Sequence, residues 1–324
     1  MESFRFSVEK ELQHQGICDA SGAVALDENR FVVANDEDNI LRVYQAHHSG
    51  KSDRRIDINQ YFDNNPKSDE VDIEGVAQID RIIYWISSHG RNKNGKLKPE
   101  RRQFFANQLL TDDPEKLFKQ VGLSYTQLLE DVLKDKRLKK YQLEDAEKLP
   151  PKEKGGLNIE GLASTPDREL LIGFRNPIPE GKALLVPLLN PRALLEQNTN
   201  AMLGEPIELD LNGLGIRSLE YWQSQNTFIV IAGAYDGSDR FALYQWSGLR
   251  HEDPELMEVT GMPSDFRPES VLFYPNCEDR FQLLSDDGSI ARSEGIPCKD
   301  IKVKPGEEHP HKFFRSVWIR SEAA

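Results

Sequence analysis

Five times along the chain a polar residue leads into a short apolar run: DASGAVA at 19–25, DIEGVA at 72–77, NIEGLA at 158–163, GIRSLEY at 215–221 and RPESVLF at 267–273. Each is followed by a second apolar run that breaks into polar residues: RFVVAND, RIIYWISS, ELLIGFRN, TFIVIAGAYD and RFQLLSDD. Short apolar runs bounded by turn formers read as strands. Third runs (ILRVYQ, RRQFFANQ, ALLVPLLN, FALYQW) and weaker fourth runs (RRIDINQYF, KKYQLEDAE, EPIELDLNG, ELMEVTGM) complete units of four strands. The small residues Gly22, Gly75, Gly161, Ser218 and Ser270 anchor the repeat at intervals of 53, 86, 57 and 52 residues. Four antiparallel strands in about fifty residues is the size of a propeller blade. The expected fold is all-β, a single β-propeller domain over 1–324 with five four-stranded blades. A sixth, degenerate blade is left open, and a two-sheet sandwich fits the long period less well.

The interval of 86 residues is too long and points to an insertion at about 112–150. DDPEKLFKQVG carries Asp113 as a cap, Pro114 at a first helical position and Gly122 as a stop. SYTQLLEDVLKDKRLKKY follows, with Ser124 and Gln127 at capping-box spacing and Leu128, Leu129, Val132 and Leu133 on one face. Residues 113–136 are therefore expected to be largely helical and to sit outside the ring. The last unit ends at KFFRSVWIRS, 312–321, without a fourth strand, whereas SFRFSVEKEL at 3–12 is a spare strand before the first unit. Pairing these two would close the ring.

Composition narrows the partners. The chain has 324 residues, 38% hydrophobic and 29% charged, with a formal charge of −13 and a pI near 5.1. Nucleic acid and anionic membrane are not expected as partners, because phosphate binding needs an excess of Lys and Arg. The first residues lack a basic stretch followed by an apolar one, and no run reaches the length of a membrane span, so a cytoplasmic location is expected. The three cysteines, Cys18, Cys277 and Cys298, are expected to be free thiols.

In a blade the first strand lines the central channel and the second runs antiparallel beside it. The start of one and the end of the other therefore meet at the same channel mouth. The opening residues are Ser21, Glu74, Glu160, Arg217 and Glu269, preceded by Asp19, Asp72 and Asn158. The closing residues are Asn35 to Asp38, then Ser88, His89 and Arg91, then Arg175 and Asn176, then Asp236, and finally Asp286 and Asp287. The two sets predict one polar ring. Small anchor residues suit inner strands that crowd together.

Two stretches, NIEGLASTPDRELLIGFRNPIPEGKALLVPL and DIEGVAQIDRIIYWISSHGRNKNGKLKPERRQFFA, resemble the domain-of-unknown-function family numbered 3616 over most of the chain. The EG(V/L)A opening and the GFRNP ending are also similar, more loosely, to the phytase-like (esterase-like) β-propeller family. That second resemblance implies acidic channel residues that hold Ca²⁺ and basic ones that hold phosphate.

The candidate metal ligands are Glu74, Glu160, Glu269, Asp36, Asp72 and Asp286. A hard cation such as Ca²⁺ takes six to eight oxygens, which carboxylates on several strand ends can supply. The competing reading has these acids capping backbone N–H groups or pairing with Arg175 and Arg217. Arg91, Arg175, Asn176 and Arg217 are candidates for holding a small anionic ligand, since the guanidinium fork matches phosphate and carboxylate. Charge balance for the acids is the alternative. His89 is the candidate general acid or base. The chain lacks a GxSxG elbow, a phosphate-cradling glycine loop, an HExxH pair and a paired CxxC. The expected function is a Ca²⁺-dependent phosphoester or ester hydrolase. The alternative is a non-catalytic scaffold that binds a ligand or a protein partner.

Overall fold

The computed structural model describes residues 4–110, 116–303 and 309–323. They form five sheets arranged as the blades of a propeller, antiparallel except where the short strands Val259–Thr260 and Gly50–Lys51 add in parallel to Phe4–Gln15 of the fifth. Blade 1 comprises Gly22–Ala25, Arg30–Asn35, Asp38–Gln45 and Arg54–Asp57 from the axis outward. Blade 2 comprises Ile73–Ile79, Ile82–Ser87, Phe104–Leu109 and Phe118–Gln120. Blade 3 comprises Asn158–Ser164, Leu170–Asn176, Ala183–Leu188 and Ile207–Leu209. Blade 4 comprises Gly215–Trp222, Thr227–Gly233, Phe241–Trp246 and Glu255–Met257. Blade 5 takes Pro268–Leu272, Arg280–Ser285 and Phe313–Ala323 from the C-terminal side, and its outer strand is Phe4–Gln15. The inner strands touch one another in cyclic order, and the fifth returns to the first.

Each blade is sandwiched between two others, so both of its faces are buried. The middle strands therefore read as continuous apolar runs instead of alternating ones. Ile83, Trp85 and Phe105 of blade 2 face a core shared with Val32 and Val43 of blade 1. Tyr84, Ile86 and Phe104 face Leu162, Ile172 and Phe174 of blade 3. The anchor glycines allow the inner strands to approach. A Cβ on Gly161 would lie 2.7 Å from Ile216 Cγ2, and one on Gly75 would lie 3.0 Å from both Glu160 O and Leu162 Cβ.

The ring closes as expected, with Phe4–Gln15 paired antiparallel to Phe313–Ala323 from Phe4↔Ala323 to Gln15↔Phe313. A second clasp at the same seam departs from expectation. Cys18 and Cys298 form a disulfide, with Cα atoms 5.8 Å apart, and only Cys277 is free. Their separation of 280 residues hid the pairing, because ring closure brings the two ends of the chain together.

The insertion also differs in detail. Phe118–Gln120 is the outer strand of blade 2, where the sequence predicted helix, and Asp113 and Pro114 lie outside the described residues. Lys139–Glu147, read as a strand, is helical instead, with a 3-10 helix at Lys136–Tyr141 and an α-helix at Leu143–Ala146. Leu138, Tyr141, Leu143 and Ala146 bury a common face against blade 3. The capping box at Ser124 does not form. Tyr125 exchanges backbone hydrogen bonds with Phe104, and Ser124 Oγ donates to Gln103 Oε1 at 2.6 Å, so the helix starts only at Leu128 and runs to Lys134. Among the described residues no helix is long and apolar enough to cross a membrane.

His14, on the outer strand of blade 5, is fully buried against Phe31, Tyr44 and Phe314. Gln282 Nε2 donates to Ser316 Oγ, which leaves the hydroxyl proton free to donate to His14 Nε2 at 2.9 Å. Burial pushes the imidazole down to about 3 from its usual value near 6.5.

Two outcomes follow from the seam. Closing a loop of 280 residues limits the unfolded chain, and on the chain-entropy account the disulfide contributes roughly 5.6 kcal/mol. Reduction, or Cys18→Ser with Cys298→Ser, should lower the melting temperature by several degrees, and deleting residues 4–12 should abolish soluble folding. A scan with and without a thiol reductant checks the first, and a reduced protein that melts like the oxidised one refutes it. The second outcome concerns acid. Because the folded-state pKa of His14 lies below the unfolded one, the unfolded chain binds more protons between about pH 6.5 and 3. Stability should therefore fall as pH drops through that window, by up to about 1.4 kcal/mol per unit. Denaturant melts of wild type and His14→Gln across pH 7 to 4 isolate this contribution, and equal slopes would exclude it.

Candidate functional site

The inner strands of four blades carry a β-bulge at the same level. The register skips one residue between Ile73 and Gly75, between Ile159 and Gly161, between Ile216 and Ser218, and between Pro268 and Ser270. The extra residues are Glu74, Glu160, Arg217 and Glu269. A bulge leaves its extra residue out of the ladder and re-aims its side chain. These four side chains are turned together at one channel mouth, with Ser21 at the corresponding position before the first strand of blade 1. They line a cavity of about 580 Å³, together with Asp19, Asp36, Asp72, Asn158, Arg175 and Asp286.

Charge divides this ring into two halves. On one side the acids are paired. Arg175 Nη1 lies 2.6 Å from Glu160 Oε1, and its Nε and Nη2 donate to the carbonyl of Ala234 at 2.9 and 2.8 Å. Asn158 Nδ2 donates to the same Glu160 oxygen at 2.6 Å. Arg217 binds Glu269 and lies 3.6 Å from both Glu160 Oε2 and Asp286 Oδ2. On the other side, one carboxylate oxygen each of Asp36, Asp72 and Glu74 come within 4.8 Å of one another. Among the described residues only Asp72 has close partners there: Arg101 at 2.8 Å and the Ser88 hydroxyl.

The electrostatics follow this division. Burial, then Asp72, Asp286 and Glu37, push Asp36 up to about 8. Burial and the nearby Glu160, Asp72 and Asp36 hold Glu74 well above the usual carboxylate range. Burial also raises Asp72, although Arg101 and Ser88 oppose the shift. Two unit charges about 5 Å apart repel by roughly 3 kcal/mol at an effective dielectric near 20. Asp19 is raised by burial and by Asp286, to which its carboxyl is hydrogen-bonded. Burial alone would raise Asp286, but Asp19, Arg217 and the Gly288 N–H hold it down at about 2. The cavity wall as a whole carries eight carboxyl groups against six Lys and Arg side chains, a formal excess of two acids. Asp36 Oδ1, Asp19 Oδ1, Glu160 Oε2 and Ser21 Oγ are buried with no hydrogen-bond partner among the described residues.

Of the sequence candidates, all six acids, Arg175 and Arg217 line the cavity, whereas His89, Arg91 and Asn176 do not. His89 is turned away from the mouth. Its Nδ1 donates to Ser87 O at 2.8 Å, and burial pushes it down to about 4. Arg91 binds the carbonyls of Glu147 and Gly95 at 2.7 and 3.2 Å, tying a loop to the helical insertion. Asn176 Nδ2 donates to Pro151 O and Glu153 O at 2.8 and 2.7 Å. Asp38 pairs with Arg42, Asp236 caps a surface turn, and Asp287 is buried between Arg292 and Arg315. Glu70, Lys93, Lys98, Arg101 and Lys152 line the cavity and were not singled out, since they belong to long loops outside the repeat.

Among solved structures, the chain is similar to native arabinanase Arb43A from Bacillus subtilis, at 10% identity and a TM-score of 0.48 over 95% of each chain. It is also similar to the PQQ-bound form of aldose sugar dehydrogenase from Streptomyces coelicolor, at 12% identity and 0.47 over 99% of each. A putative oxidoreductase (glucose dehydrogenase) from Thermus thermophilus gives 12% and 0.43, over 99% of this chain and 100% of that one. Scores this low carry no argument about chemistry. The curated proteins contain no significant match. The family described as "Protein of unknown function (DUF3616)" matches residues 19–117 and 111–271, and the chain belongs to that family.

Proposed function

We propose that Asp36, Asp72 and Glu74 bind a divalent cation, Ca²⁺ in the first instance, and that this cation serves hydrolysis of a phosphoester or ester held in the cavity. The observation that carries the reading is the convergence of three carboxylate oxygens within 4.8 Å, two of them on residues with no ion pair of their own among the described residues, in the wall of a cavity of about 580 Å³. A hard cation takes carboxylate oxygens of this kind, and its charge would offset their repulsion. The unpartnered oxygens of Asp36 and Ser21 add support. A bound cation supplies a Lewis acid and an activated water. The residues around it would orient the substrate, and Asp72 would be kept in place by Arg101 and Ser88. The loose phytase-like resemblance agrees with this reading and does not carry it.

One observation favours the scaffold alternative for the other half of the ring. Arg175 and Arg217 spend their donors on Glu160, Glu269 and Ala234, as braces between blades 3, 4 and 5 would. These arginines are therefore not part of the proposed ligand grip.

The two readings separate in thermal melts. In chelator, Asp36→Asn should melt at or above wild type, because it removes one of three crowded carboxylates. In millimolar Ca²⁺ the order should reverse, since a ligand bound only to the folded state stabilises it by mass action. Chromogenic phosphate and carboxylate esters should be turned over only with the cation, and not by Asp36→Asn or Glu74→Gln. Wild type that shows no shift with any divalent cation would remove the metal reading. A cation response without turnover of any ester would leave a binding protein. Glu160→Gln should instead destabilise the ring with or without Ca²⁺, by roughly 3–5 kcal/mol, because it leaves Arg175 buried and unpaired.

A further inference from the structure

The cavity holds six Lys or Arg side chains, and four are engaged. Arg175 and Arg217 brace the ring, Arg101 binds Asp72 and Glu70, and Lys98 binds Glu100. Lys93 and Lys152 differ. Both line the cavity, both are exposed, and neither has an ion pair or hydrogen bond among the described residues.

Their loops are nevertheless held. Lys93 sits in a turn closed by Gly95 N–H to Asn92 O at 2.9 Å and Asn92 N–H to Lys96 O at 3.0 Å. Asn92 Oδ1 accepts from the N–H groups of Asn94 and Lys96 at 3.0 and 2.9 Å, and Arg91 ties the turn to Glu147 O in the helical insertion. Lys152 follows Pro150 and Pro151 on a strap pinned by the two hydrogen bonds of Asn176 to Pro151 O and Glu153 O. A Cβ on Gly95 would lie 3.6 Å from Pro150 Cγ, so turn and strap touch and bring both lysines to one rim. Two backbones fixed in this way bring two lysines without an ion pair among the described residues to the rim of a cavity lined by eight carboxyl groups, the Lys152 ammonium lying beside the Gly237 turn.

We propose that Lys93 and Lys152 take the anionic group of the ligand, so that the substrate is an ester bearing a phosphate or a carboxylate. The inference rests on the cation reading, which supplies the other end of the site. It gives the 92–95 turn and the 150–153 strap the role of selecting charge, while the bulged inner strands hold the cation. An ammonium is a point charge that accepts either anion, so the lysines specify charge and leave the choice of anion to the shape of the cavity.

Titration calorimetry with phenylphosphonate, which has no ester bond to hydrolyse, and with benzoate, in millimolar Ca²⁺, tests the assignment and separates the two anion sources. Wild type should bind at least one probe. Lys93→Ala with Lys152→Ala should weaken that binding about tenfold or more, as expected when ligand-facing charges are lost. The double variant should keep its Ca²⁺ affinity within about twofold, and Lys93→Arg with Lys152→Arg should restore much of the loss. Equal probe affinity in wild type and the double alanine variant overturns the proposal, as does failure of wild type to bind either probe. A Ca²⁺ titration without probe is the separate control. If it shows no binding while the probes still discriminate between wild type and the double variant, the lysine assignment stands and the cation reading falls.

Discussion

A bulge in each of four inner strands is the constraint on which the polar mouth depends. An inner strand of a propeller has to present small or apolar groups to its neighbours, because adjacent inner strands run close enough for a glycine Cβ to collide. A regular strand with a charged residue next to Gly75 or Gly161 would send that charge into an interblade core. Adding one residue to the strand lifts it out of the ladder and aims it at the axis. Glu74, Glu160, Arg217 and Glu269 are the residues so displaced. The same device serves an acid in three blades and a base in the fourth, so the geometry is common and the charge is a local choice.

That choice decides where the ring is braced and where it is left under repulsion. Around Arg217 the two kinds of charge alternate: Arg175, Glu160, Arg217 and Glu269 neutralise one another inside the wall. Buried pairs of this sort add little net stability, because desolvation opposes their attraction, but removing one partner is costly. Between blades 1 and 2 no arginine projects from an inner strand. Asp36 and Glu74 lie beside Asp72, and among the described residues Arg101, from a loop, makes the one ion pair in this group, while Arg175 acts on Glu74 from farther off. Burial and proximity push all three carboxyl groups toward the protonated form there, and such concentrations of perturbed carboxyl groups cluster at functional positions.

The insertion reaches the cavity through its C-terminal end. Its helices pack on the outside of blade 3, and the chain leaving them forms the strap at 150–153 over the cavity. Arg91, Arg102 and Asn176 hold this segment through Glu147, Glu130 and the strap carbonyls. Polar residues that end second strands thus serve as fasteners for the rim.

The sequence by itself determined the propeller architecture, five four-stranded units with a sixth left open, the closing strand and the level at which acids and arginines meet. Strand period, small anchors and an unpaired strand at each terminus are local or additive signals that survive without coordinates. It also placed the six acids at one mouth, because antiparallel neighbours must begin and end together. Tertiary structure decided what depends on neighbours distant in the chain. The disulfide joins residues 280 apart and exists because the seam brings them together. Phe118–Gln120 became a strand because Phe104–Leu109 offered an open edge, and Tyr125 was drawn out of its helix by Phe104. His89 took a left-handed backbone conformation and turned inward, a choice its sequence neighbours do not dictate. The division of the ring into a neutralised half and an acidic half was decided the same way. Which guanidinium reaches which carboxylate depends on side-chain reach across blades, and a linear chain does not contain that distance.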